Sequence, residues 1–311
     1  MSFFGEIVAI SVAFSWTFTA LFFEYAGKRL GSLQLNLIRL VFAFFMLGAF
    51  LYLVSGHFFP VGADNKTWFW MVLSGLVGFV FGDLCLFYSY ILITARFSQL
   101  IMTLAPPFAA VFGWLMLGER YGIMGVVGML ITLLGLAISI LKRPAKENNH
   151  FSIALPIKGI LLALGGALGQ GLGIVLSKKG MLFYEQAYNG QSAFADYIPF
   201  AATQIRIITG IVGFLSIILL MGRGPHLIQI LKDRKGMWAS FFGSFFGPFL
   251  GVSLSLVAVR YTETGIASTI MATVPILILL PYAIIYKQRI KFIEVFGAIL
   301  CVLGVACFFI R

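Results

Sequence analysis

The run MGVVGMLITLLGLAISIL, residues 124–141, carries no charge and is apolar on every face. A helix that is hydrophobic all round needs apolar surroundings, and at about 1.5 Å per residue some 20 such residues reach across roughly 30 Å of bilayer hydrocarbon. Similar runs recur along the chain. With 60% of its 311 residues hydrophobic, 11% charged and a mean hydropathy of +1.01, the sequence has too few polar side chains to clothe a water-soluble surface. It reads as an all-α integral membrane protein embedded in a lipid bilayer. A transmembrane β-barrel would alternate apolar and polar residues in short segments, and these runs do not.

Hydropathy and helix breakers place ten spans, at residues 4–24, 32–54, 67–90, 94–117, 121–141, 156–178, 198–220, 236–258, 264–286 and 290–310. The polar stretch LKRPAKENNH separates spans five and six. The expected organisation is a five-helix repeat over residues 1–141, a linker over 142–155 and a second repeat over 156–311. MSFFGEIVAIS has no basic residue ahead of its apolar stretch, so it is expected to stay as the first span.

The net charge of +11 comes from lysines and arginines scattered through short loops, so no nucleic acid partner is implied. These residues are denser in the loops opposite the termini, which by the positive-inside rule puts both termini outside. Cys85, Cys301 and Cys307 lie in apolar runs, and the three histidines lie in loops without cysteine nearby. Neither a disulfide framework, a metal site nor a cofactor is indicated.

Sliding the second half onto the first by 169 residues superposes Pro106 on Pro275, Arg120 on Arg289, Gly128 on Gly297 and Gly135 on Gly304. Without a gap, the same register pairs Gly78 with Gly247 and Gly82 with Gly251, and Arg39 meets Arg206 at an offset of 167. The chain is an internal duplication. Five spans per copy is an odd number, so the second copy enters the membrane from the opposite side, giving two inverted five-helix repeats. That architecture suits a secondary transporter, because two exchangeable halves give equivalent openings to opposite faces. Proline in a span removes a backbone hydrogen bond, and the freed carbonyl is tolerated where protein or water meets it. Pro106 and Pro107, with Pro275 and Pro281, thus mark spans four and nine as hinged helices beside a cavity.

Asp83 is the most informative polar residue, since a carboxylate at membrane depth is costly without water or a partner. It could take up a proton or attract a cationic group, or pair with a loop base such as Arg96. Gln99 and Thr103 lie one turn apart ahead of Pro106, and the repeat places Ser268 ahead of Pro275. Their face is the candidate solute lining, with Trp16, Tyr88, Tyr90 and Gln170 adding aromatic and amide contacts. Arg39 and Arg206 read as snorkelling or structurally paired bases, and Glu119 with Arg120 and Glu263 with Arg260 as loop ion pairs. The spaced small residues Ser74, Gly78 and Gly82, Gly165, Gly169 and Gly173, and Gly243, Gly247 and Gly251 read as close-packing seams.

The stretch PPFAAVFGWLMLGERYGIMGVVGMLITLLGLAI combines a span-four proline, an LGER turn and a glycine-spaced fifth span. It resembles the EamA domain of the drug/metabolite transporter superfamily, over about residues 5–140 and 157–310. The second copy departs from the pattern, with Gln288 in IYKQR where Glu would stand. The resemblance implies a multi-pass exporter or exchanger of small metabolites such as amino acids in the bacterial inner membrane. It also implies a central cavity lined by spans one, three, four, six, eight and nine. Protons or a counter-solute would supply the energy, since no G-x-x-x-x-G-K-[ST] phosphate loop is present. Relatives of that family keep both termini inside, against the charge bias. An intramembrane aspartyl enzyme would need a second facing aspartate for Asp83, and none lies in a span, so no catalytic residue is assigned. A non-transporting receptor or lipid-organising scaffold is the rival reading.

Overall fold

The computed structural model describes residues 3–141, 156–188, 193–277, 281 and 292–307, and every regular element among them is helical. Helix α1 spans Phe4–Leu30 and α2 Ser32–Ser55. Helix α3, Asn65–Gly75, continues through a π-helical segment, Leu76–Asp83, into α4, Leu84–Met102. Helices α5 (Ala105–Leu117) and α6 (Ile123–Leu141) follow. The second half begins with α7, Ile157–Ala187, and a 3-10 turn over Ala193–Tyr197 leads into α8, Ile198–Leu220. The short α9 (Gly224–Ile230) precedes α10 (Arg234–Ser244), a second π segment (Phe245–Gly251) and α11 (Val252–Tyr261). Helices α12 (Thr264–Met271), α13 (Val274–Leu277) and α14 (Phe292–Cys307) complete the described residues. The 142–155 stretch expected as a linker lies outside them.

Among the described residues six stretches, including Phe4–Gly27, Ser32–Ser55 and Arg234–Tyr261, are long and apolar enough to cross a membrane, and Ala105–Leu117, Ile123–Ile138 and Val295–Cys307 are shorter apolar helices. Large apolar side chains such as Leu53, Leu115, Ile123 and Val302 are exposed on the outer faces, as lipid-facing helices require. The expected turn between spans three and four is hidden in the unbroken helical run to Met102. Nine residues of straight helix would separate their ends by about 13 Å, yet the Ser89 hydroxyl donates to Ser98 Oγ at 2.7 Å. The axis therefore doubles back between them.

The duplication is realised as a physical contact between α6 and α14. A Cβ placed on Gly135 would stand 2.7 Å from the Gly297 carbonyl oxygen and 2.6 Å from the Cys301 nitrogen, while one on Gly304 would stand 2.9 Å from the Gly128 carbonyl oxygen. Gly135 and Gly304 are equivalents under the 169-residue shift, as are Gly128 and Gly297, so each glycine meets the other's counterpart. The contacts rise along one helix as they fall along the other. The two helices cross antiparallel about a pseudo-twofold axis, which is the inversion that five spans per repeat demand. Replacing Gly135 or Gly304 by valine pushes backbone against backbone, with an expected cost of about 1–3 kcal/mol. A drop in the unfolding midpoint of similar size for both variants, measured in detergent, checks this; a drop for one only would deny the symmetry.

Two further seams join the halves. Gly82 and Gly78 pack on Gly169 and Gly173 of α7, where Cβ atoms added to Gly169 and Gly173 would approach within 2.7 Å and 2.9 Å of the Gly82 and Gly78 Cα atoms. Gly243, Gly247 and Gly251 pack in the same way on Phe23, Thr19 and Trp16 of α1. Span three thus seats against span six, and span eight against span one.

Each of these seams contains a π segment, and the two begin at equivalent positions, Leu76 and Phe245. Extra-wide helical turns leave backbone groups poorly paired and commonly accompany function. Pro248 sits inside the second, without a donor for its ladder, but Phe79 stands at the equivalent place in the first. Proline alone does not account for the pair.

The proline hinges need correction. At Pro106 and Pro275 the helix is not bent through the proline; spans four and nine each stop and restart just upstream, at Thr103–Leu104 and at Ala272–Thr273, again equivalent positions. The Leu104 and Thr273 amides tighten to three-residue bonds with Ile101 and Ile270 at 3.0 and 3.1 Å. Pro106 then lies in the first turn of α5, where a missing N–H leaves nothing unpaired. Pro107 follows it, and Pro275 takes the corresponding place in α13 with its side chain outside the described ones. Pro281 is half-buried, and its neighbours lie outside the described residues.

Candidate functional site

Four polar side chains meet between the two repeats. Arg39 is eight residues into α2, about 10 Å below its start. Its Nη2 donates to Asp83 Oδ2 at the end of the first π segment. The amide of Gln170 on α7 donates to the other carboxylate oxygen at 2.8 Å and approaches the Gly78 carbonyl at 3.5 Å. Arg206, nine residues into α8, lies beside this pair: a Cβ on Gly78 would stand 2.9 Å from its Nη2. Its guanidinium carbon sits 4.6 Å from the centre of the Phe79 ring. Arg39, Asp83 and Arg206 are all buried. Their seclusion follows from the glycines at positions 78, 82, 169 and 173, which bring the backbones close enough for short polar groups to reach across.

Neither arginine snorkels, and Asp83 pairs with Arg39, while the side chain of Arg96, the loop base expected for it, lies outside the described ones. Both carboxylate oxygens are occupied, so a cationic solute would have to displace a protein donor. The expected site residues divide accordingly. The structure brings Asp83 and Gln170 together. Trp16 packs its indole on Gly251 at the second π segment, the counterpart of Gly82. Thr103 stands in the break before α5, and Ser268, half-buried in α12, accepts the Ala272 amide at 2.9 Å as the last full turn before the equivalent break. Tyr88 is 42% exposed, with the Lys158 ammonium 5.6 Å from its ring centre, so it stands apart from the buried group. The side chains of Tyr90 and Gln99 lie outside the described ones.

A second polar group closes the side of the molecule that carries the N-terminus of α1. Gly118, in the left-handed region at φ 67°, ends α5 and turns the chain so that Glu119 faces inward. Glu119 Oε1 accepts from the Lys178 ammonium at 2.7 Å, and Oε2 accepts from the Thr264 hydroxyl and amide at 2.6 and 3.0 Å and from the Tyr121 hydroxyl at 2.7 Å. Lys178 also donates to the Thr262 carbonyl at 2.7 Å. Glu119 therefore ties the α5–α6 turn of the first repeat to α7 and to the start of α12 in the second. Burial favours the neutral acid, but the Lys178 charge and the converging donors outweigh it, holding the carboxyl below the usual glutamate range. Burial, and then the bond to Glu119, raise the Tyr121 hydroxyl.

This clasp was not legible as such in the sequence. The expected Glu119–Arg120 pair is replaced by Glu119–Lys178, and the expected Glu263–Arg260 pair by Arg260–Glu185 at 2.6 Å. Adjacent residues on a turn point apart, so sequence neighbourhood was a poor guide to pairing. One signal was available: Gly113, one turn before the LGER motif, is where any Cβ would strike Glu119 Oε2 and Thr264 Oγ1.

A model of the family described as the EamA-like transporter family matches residues 3–141 and again residues 157–310. An uncharacterized transporter of Bacillus subtilis, YvbV, is 32% identical over 120 residues, and an uncharacterized membrane protein of Saccharomyces cerevisiae, YMR253C, is 30% identical over 113 residues. These alignments take in 37% and 36% of this chain, which spans 35% and 27% of the lengths of those relatives. One crystal structure superposes with a TM-score of 0.70 over 98% of this chain and 96% of its own, at 16% identity, a likeness of fold.

Proposed function

Because the chain belongs to the EamA-like transporter family, we propose that it is a secondary transporter that moves a small metabolite by alternating access. The solute lies between the repeats at Asp83 and Gln170. The observation that carries this reading is the pair of equivalent helix breaks at Thr103–Leu104 and Ala272–Thr273, set beside the matched π segments. Four interruptions related by the repeat give each half its own pivots, so one half can rock on the other about glycine seams.

The two ends of such a machine need not be equal. Under the 169-residue shift Glu119 corresponds to Gln288 and Thr264 to Ala95, so the carboxylate clasp has no chemical twin. In this reading the clasp holds the face bearing Glu119 shut. Energy would come from an ion gradient or a counter-solute exchanged across the membrane.

Purified protein reconstituted into liposomes and preloaded with unlabelled solute should accumulate the same labelled solute by counterflow. A panel of amino acids, organic acids and organic cations is expected to contain at least one exchanged solute. Gln170→Ala should raise its half-saturating concentration about tenfold, the effect of about 1.4 kcal/mol of lost contact. Failure of every panel member with folded, correctly inserted protein would favour the receptor or scaffold reading.

A further inference from the structure

The buried group carries more positive than negative charge. Asp83 supplies one formal negative charge against two guanidiniums, and both its oxygens are already used by Arg39 and Gln170. Arg206, 4% exposed, makes no hydrogen bond from its guanidinium among the described residues, and its Nε is a buried donor without a partner. Its compensation is the Phe79 ring face and the nearby charge of Asp83, a carboxylate it shares with Arg39 and does not hydrogen-bond. A buried charge left so poorly matched is costly, and ionisable groups are kept at membrane depth where they serve a ligand or an ion path. The guanidinium lies against Gly78, with the α7 backbone at Gly173 and Gly169 behind it, so no other side chain stands between it and that backbone.

We propose that Arg206 binds the carboxylate of the transported solute, and that the surplus positive charge of the Arg39–Asp83–Arg206 group selects monoanionic solutes. The inference rests on the transport reading for the word "transported", while the anion site itself does not. One surplus charge is neutralised by one carboxylate, whose two oxygens match the planar fork of a guanidinium better than a halide does. A phosphate near neutral pH would carry up to two charges and overshoot. Asp83 is then the standing counter-ion of Arg39, and it excludes a second anion.

Thermal unfolding of the detergent-purified protein tests this at constant ionic strength, with acetate, benzoate, chloride or inorganic phosphate as the probe. A ligand that binds the native state raises its apparent stability saturably. Acetate and benzoate are expected to do so and chloride and phosphate not. Arg206→Gln should abolish the shift while melting no lower than the wild type without probe, since it removes the surplus buried charge and leaves the Arg39–Asp83 pair. Gly78→Ala, which crowds only the far end of Arg206, should raise the half-saturating carboxylate concentration about tenfold, and it keeps the test open if Arg206→Gln does not fold. An absent shift in the wild type, a shift retained in Arg206→Gln, or an equal shift with chloride or phosphate overturns the proposal. Counterflow of labelled benzoate and of labelled organic cations separates the two readings. Carboxylate-dependent stabilisation without exchange of any solute leaves the anion site standing and removes transport. Exchange of cations with no carboxylate effect does the reverse.

Discussion

Asp83→Leu is expected to lower stability by about 3–5 kcal/mol, the cost of stripping a buried ion pair of one partner. Two guanidiniums, on α2 and α8, would then share the interior of the bilayer with no counter-charge, and the Gln170 amide would lose its acceptor. The double variant Asp83→Leu/Arg206→Leu restores the wild-type surplus of one positive charge, and should be more stable than Asp83→Leu alone. Arg39→Leu should cost less than Asp83→Leu, because Arg206 remains close enough to serve as the carboxylate's counter-ion. Unfolding midpoints of the four purified proteins in one detergent measure the order. If Asp83→Leu unfolds with the wild type, the carboxylate is not the electrostatic keystone of this interior.

The sequence exposed the architecture because the duplication is physical as well as textual. Gly135 and Gly304 could be matched on paper, and they are matched in space through Gly297 and Gly128. The prolines announced an interruption in spans four and nine, and the error lay in its form, a stop and restart two residues upstream of Pro106 rather than a kink through it. Pairing was less legible. Asp83 and Arg39 stand 44 residues apart, and Glu119 and Lys178 stand 59 apart; which faces of their helices meet depends on glycine contacts that amphipathic periodicity cannot report in helices apolar all round. The π segments were equally hidden, since Pro248 points to one of them and nothing in the residues around Phe79 points to the other.

Removing the Glu119 clasp should open one face of the protein. In Glu119→Gln the Lys178 ammonium, 16% exposed, loses its counter-ion, and the donors at Thr264 and Tyr121 face an uncharged acceptor. Hydrogen bonds to a charged group contribute about 1.5–3 kcal/mol, and partial exposure moderates the ion pair. A loss of about 2–3 kcal/mol from the closed state multiplies the open population about 30- to 150-fold. Ala267, fully buried in α12 one turn below the clasp, is a suitable reporter. With Cys85, Cys301 and Cys307 replaced, an Ala267→Cys protein in proteoliposomes should react with a membrane-impermeant maleimide at least about tenfold faster once Glu119→Gln is added. The pH dependence carries its own sign. Because the folded carboxyl lies below the ordinary glutamate value, its contribution is complete above that value and is lost only as pH falls through the lowered one. Labelling of the protein with Glu119 intact, corrected for thiolate fraction, should stay flat from neutral pH down to the ordinary glutamate range and rise below it, whereas Glu119→Gln should show no such rise. Equal labelling rates with and without Glu119 would mean that the clasp stabilises the fold without gating it, and that the asymmetry between Glu119 and Gln288 has no part in the direction of opening.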